Sequence, residues 1–97
     1  MPTPAAVEPP TSENVRLYRA AVLAWREAEI KERSRHADVR LSNPHVANHA
    51  AALAVHALAP EMTYDAASRI AHTATAWAAQ AHHEWFWQGI PHNGYGL

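Results

Sequence analysis

From Thr63 to Pro91 the chain reads TYDAASRIAHTATAWAAQAHHEWFWQGIP, with no proline before Pro91 and no glycine before Gly89. A stretch of that length with no breaker predicts one long helix, from Tyr64 to Gln88, and the other elements must pack along it. Thr63 suits the N-cap, and Asp65 lies in the first turn near the positive end of the helix dipole. At the far end Gly89 fits the left-handed C′ position, Ile90 can pack back behind it, and Pro91 forbids continuation. Ala66, Ile70, Ala74, Trp77, Ala81 and Trp85 are spaced four, four, three, four and four, which predicts the core face. Asp65, Arg69, His72, Gln80 and His83 fall on a polar side. Phe86 and Trp87 sit about 100° and 200° beyond Trp85, off the predicted face.

A Pro-rich arm, a second long helix and a short one precede it. Residues 1–11 carry Pro2, Pro4, Pro9 and Pro10 without periodicity and read as a disordered or extended arm. A first helix is predicted from Ser12 to Arg35, with Thr11 or Ser12 as N-cap. Val15, Tyr18, Val22 and Trp25 give it a buried stripe, while Arg16, Arg19, Arg26, Glu29 and Arg33 are expected to face away. Glu27–Lys31 and Glu29–Arg33 are spaced as i,i+4 ion pairs. KERSRHADVR, Lys31 to Arg40, reads as a solvated helix end, followed by a connection that Val39 and Leu41 could pin to the core. Asn43-Pro44 then starts a second helix, running to Ala59, with Asn43 as cap and Pro44 at the first helical position. No segment alternates with period two, and all 3 glycines come after residue 88. The class is all-α: a three-helix bundle over residues 12–91 with a flexible tail at 92–97, completed or extended by homo-oligomerisation.

The second helix is apolar nearly all round, which predicts that it is largely buried, and its one polar line is histidine with Asn48. His45 and His49 have the i,i+4 spacing that lets two imidazoles reach one Zn, Ni or Cu ion, with His72, His82, His83, Glu84 or His92 as the third ligand. His56, seven residues beyond His49, lies about 10 Å further along the axis and cannot share that ion. With 8 histidines in the chain, a pH-responsive reading needs no metal at all.

Composition removes several function classes. The chain has 97 residues, enough for one small core, and a net charge of −1, which gives no global field for nucleic acid or anionic lipid. It has no cysteine, and therefore neither disulfides nor thiolate ligands. No glycine-rich phosphate loop, nucleophile elbow or paired buried carboxylates point to an enzyme. MTYDAASRIAHTATAW has the look of a helix-turn-helix segment, but Ala71-His72-Thr73 continues without a turn glycine. No apolar run approaches the ~20 residues that span a bilayer, and the first residues lack a signal peptide, so a cytoplasmic setting is expected. Arginine outnumbers lysine and alanine dominates the apolar set, a bias of GC-rich coding that suits a bacterial or phage accessory protein. What the residues favour is a small non-enzymatic regulatory protein. It would bind a protein partner or a second copy of itself, as a homodimer, through Trp85, Phe86, Trp87 and Tyr95. A histidine-rich metal or pH-responsive protein is the second reading, and a DNA-binding regulator the third.

Overall fold

The computed structural model describes residues 7–92, and most of them are helical: α1 (Val15–Ser34), α2 (His45–Leu58), α3 (Tyr64–Ala81) and the short α4 (His83–Trp87), with a 3-10 turn at Val39–Leu41. No strand occurs among the described residues. α1 packs against both α2 and α3, and α2 against α3, so the three long helices form a bundle. No helix among the described residues is long and apolar enough to cross a membrane.

The expected start residues make local hydrogen bonds, although α1 opens at Val15, three residues after the predicted Ser12, and α2 at His45, with Pro44 as its N-cap. Thr11 and Asn14 exchange hydrogen bonds, the Thr11 N–H donating to Asn14 Oδ1 at 2.6 Å and the Asn14 N–H to Thr11 Oγ1 at 3.3 Å. That is capping-box geometry with asparagine in the glutamate place, and it opens the turn that becomes α1. Asn43 Oδ1 accepts from the His45 N–H at 2.9 Å, and Thr63 Oγ1 from the Ala66 N–H at 3.1 Å. Gly89 has φ 80°, and Ile90 behind it is buried.

Small residues dominate the core. Ala21, Ala47, Ala51, Ala52, Ala67, Ala71, Ala74 and Ala78 are all buried, so the three axes approach closely. Each alanine removes little area from water. The larger apolar contribution comes from Tyr18, Val22, Val55 and Phe86 inside, with Trp25, Trp77 and Trp87 packed at the edge.

Several expectations need correction. The last long helix is two: α3 ends at His82 (φ −131°, ψ 48°), and α4 starts at once. The core face of α3 is the alanine line Ala67, Ala71, Ala74 and Ala78, one residue round from the predicted one, because the smallest side chains take the closest approach. Ala81 and Trp85 consequently face out. α2 is not largely buried: it turns Ala47, Ala51, Ala52 and Val55 inward and leaves Val46 and Leu53 on its outer side and Leu58 exposed near its end. Val39 does pin the connection to the core, whereas Leu41 is exposed. The end of α1 is solvated only in part: Lys31 and Arg35 are exposed, whereas Glu32 and Arg33, with Glu29 before them, are buried. Finally, the described part of the N-terminal arm is held, with the Tyr18 hydroxyl donating to the Glu8 carbonyl at 3.1 Å.

Candidate functional site

The break at His82 decides what the aromatic end presents. A continuous helix would carry Trp85 inward and Phe86 to the flank; the elbow reverses them. Phe86 is 2% exposed and stacks on Trp25 at 5.0 Å between ring centroids, while Trp85 is 43% exposed. Phe86 is therefore a core residue and not a surface anchor, contrary to the sequence expectation. Trp87 lies between these extremes, edge-on to both Trp25 (6.1 Å) and Phe86 (5.2 Å). Tyr95 lies outside the described residues.

Two arginines of α1 hold the elbow down. Arg26 Nε donates to the Phe86 carbonyl at 3.0 Å, and its Nη2 to the Gln88 carbonyl. Its guanidinium also lies over the Trp85 ring, 4.6 Å from the centroid. Arg33 Nη1 donates to the Pro91 carbonyl at 2.9 Å. The carbonyls at the end of α4 are the ones a helix cannot satisfy internally, and α1 satisfies them from sixty residues away.

Turning Trp85 outward also builds a groove. It runs between the first half of α1 and the α3–α4 elbow, holds about 350 Å³, and is walled by Val15, Tyr18, Leu23, Trp77 and Trp85 with Arg19 on the rim. Val15 and Leu23 are 47% and 46% exposed, so the groove collects apolar surface that the fold leaves in water. The sequence does not single out either residue for this role. The available signal is Leu23, a leucine about 100° off the buried stripe of α1.

A second concave region lies between α2 and α3. It is an open cleft of about 870 Å³ that gathers His45, Asn48 and His49 from α2 with Tyr64, Arg69 and His72 from α3. His49 Nδ1 and the Tyr64 hydroxyl are hydrogen-bonded at 2.8 Å, and Trp25 Nε1 donates to Asn48 Oδ1 at 3.0 Å. Of the expected third metal ligands only His72 shares this cleft; His82 lines the apolar groove, and His83 and Glu84 line a depression beside Trp87. His92 is also remote from it, against the Trp87 ring. No group of three histidine, cysteine, aspartate or glutamate side chains able to hold a metal occurs among the described residues. α3 is unbroken through Ala71–Thr73, so no helix-turn-helix bend falls there.

The buried charges of α1 complete the picture. Glu32 accepts from the Asn43 N–H at 2.8 Å and meets His36 Nε2 at 3.2 Å and Arg35 Nη1 at 3.4 Å. The Asn43 bond, with the His36 and Arg35 contacts behind it, holds its carboxyl below the usual range despite the opposing effect of burial. Glu29 pairs with Arg33 Nε at 3.5 Å, but its Oε1 has no hydrogen-bond partner among the described residues. Burial pushes the Glu29 carboxyl up, against the pull of Arg33. The other expected pair, Glu27–Lys31, forms at 3.2 Å in open solvent.

Comparison of the chain with protein-family models, curated proteins and solved structures finds no match.

Proposed function

We propose that this chain is a small non-enzymatic binding module that seats an apolar segment of another protein in the groove between α1 and the α3–α4 elbow. The supporting observation is that Val15, Leu23 and Trp85, each at least 43% exposed, converge on that one groove beside Trp77. Exposed large apolar side chains scattered singly are ordinary, whereas several converging on one concavity are the signature of a contact surface. The groove suits the i, i+3, i+4 apolar row of an amphipathic helix, the mode in which a partner helix lies in a hydrophobic groove. Arg19 on the rim favours an acidic flank on that helix. The sequence expectation of binding at the aromatic end is retained in altered form, with Trp85 as the anchor and Phe86 as its support. A second copy of the chain is one way to supply the helix.

The test compares wild type with the double variant Leu23→Ser/Trp85→Ala. Light scattering gives the mass of each, and affinity capture from the source cell gives the set of bound proteins. The reading expects the variant to keep its melting transition and lose either the larger mass or a captured partner. If mass and captured set are both unchanged, the groove is not the working surface.

A further inference from the structure

The cleft between α2 and α3 is separate from the apolar groove and has the opposite chemistry. We propose that it binds a small organic phosphate monoester carrying a flat ring, a molecule of nucleoside-monophosphate size. The argument starts from which polar groups line it. His45, Asn48 and His49 stand on the α2 wall and Ser68, Arg69 and His72 on the α3 wall, and no carboxylate among the described residues lines the cleft. In a chain whose acidic residues outnumber its lysines and arginines, 9 to 8, that is a local inversion of the overall charge.

Two of these groups are set up to donate. An indole N–H is only a donor, so the bond from Trp25 Nε1 obliges Asn48 to accept through Oδ1 and leaves its NH₂ for a ligand. Arg69 has no carboxylate within ion-pairing distance among the described residues, and it is the arginine of the cleft lining. A guanidinium with no internal anion and a fork of N–H donors is the group that best matches phosphate oxygens.

Donors on two facing walls favour a tetrahedral group over a planar one. A carboxylate accepts in one plane and can be satisfied by Arg69 alone, whereas a phosphate monoester has three oxygens and can accept from α2 and α3 together. The floor differs from the walls: Ala51 and Ala71 are small and buried, and Trp25 contributes an aromatic edge. The proposal sets the flat aromatic ring against that floor, with its phosphate between the walls. The volume lies within the range of small-molecule sites.

The probes are adenosine monophosphate, adenosine and inorganic phosphate, titrated into the full chain at pH 7 by calorimetry. The backbone amide signals of Asn48, His49 and Ser68 are followed by NMR. The expectation is saturable binding of the monophosphate with shifts confined to the cleft, and much weaker binding of adenosine or phosphate alone. Arg69→Gln should weaken the monophosphate about tenfold to a hundredfold, the loss expected for one charge-assisted contact. Arg69 is exposed on α3, so this variant should keep the wild-type melting transition. Arg16→Gln, exposed on α1 and outside the cleft, should bind as wild type does. No binding of the monophosphate overturns the proposal, as does equal binding of adenosine, equal binding of inorganic phosphate, or an equal loss in both arginine variants.

Discussion

The two halves of α1 treat water in opposite ways. Its first half leaves Val15 and Leu23 in solvent, while its second half buries Glu29, Glu32 and Arg33. The same helix therefore exposes hydrocarbon at one end and hides charge at the other. What differs is the set of partners. The second half lies under the start of α2 and the C-terminal segment, which supply the Asn43 N–H and the Pro91 carbonyl, so charge can be buried there with its hydrogen bonds largely made. The first half buries Tyr18, Ala21 and Val22, but Val15 and Leu23 on its outer side stay uncovered along the groove that Pro10, Trp77, Ala78 and Trp85 also line. The proposed docking of a partner helix rests on this contrast between the two ends.

The largest expected effect tests the complete end. Phe86→Ala removes the ring on which Trp25 stacks and should cost about 3–5 kcal/mol, lowering the melting temperature by about 15 °C or more. Trp85→Ala, the adjacent residue, should cost under about 1 kcal/mol, chiefly its contact with the Arg26 guanidinium. Equal losses in the two variants, read by urea unfolding, would remove the distinction between inward and outward tryptophan-end residues.

Glu32→Gln comes next, and its effect depends on pH. The folded carboxyl titrates below its ordinary value, so the stability it contributes is present above the carboxylate range and is lost as pH falls through the lowered value. Wild type should melt higher than the variant at pH 7, and the gap should close as pH falls below the ordinary carboxylate range. A gap that is constant with pH would mean that the charge plays no part. Glu29 has the opposite sign: its raised value favours the fold at low pH, and that contribution disappears as pH rises through the raised value. Two buried glutamates on one helix thus pull the pH profile in opposite directions.

Trp25→Phe keeps most of the stack and deletes the donor to Asn48, for an expected loss of about 0.5–1 kcal/mol. The smallest effect belongs to Asp38→Asn. The hydrogen bonds from Arg40 depress the Asp38 carboxyl to about 2, yet the pair sits at the surface, where such bridges stabilise little. The variant should melt with wild type at pH 7, and a clear drop would make the 3-10 turn more important than its exposure indicates.

The sequence foretells elements and caps better than faces. Thr11, Asn43, Thr63 and Gly89 act through bonds or dihedral angles within a few residues, and such signals survive whatever the tertiary structure does. The elbow at His82 leaves no comparable mark, because neither His82 nor His83 breaks a helix; the bend serves the burial of Phe86 against Trp25, a contact spanning sixty residues. The inward turn of Glu29 and Glu32 was present in the spacing. Tyr18, Val22, Trp25, Glu29 and Glu32 follow one another at four, three, four and three, a continuation of the apolar stripe. Residue type argues against reading it so, since carboxylates are buried only where partners exist, and those partners come from other elements. The α2–α3 cleft was legible in part: His45, His49 and His72 were visible as a group of candidates. Asn48 shares the polar line of His45 and His49, and Arg69 the polar side of His72, but only the packing of the two helices brings the two sets together.

The Arg26 clamp on the elbow also bears on the order in which the chain can fold as it is made. α1 emerges from the ribosome well before α4, and at about 5–20 residues per second the gap is several seconds. During that interval Trp25 has no ring to stack on, and Arg26 and Arg33 have no carbonyls from the C-terminal segment. The bundle is thus expected to stay loose until residues 83–91 arrive, with its first helix open to binding factors on the ribosome. Nascent chains stalled after Ala81 should be cut in α1 by a protease that spares chains extended past His92 by a linker spanning the ribosome exit tunnel. Equal protection of the two would show that α1 is closed by α2 and α3 alone.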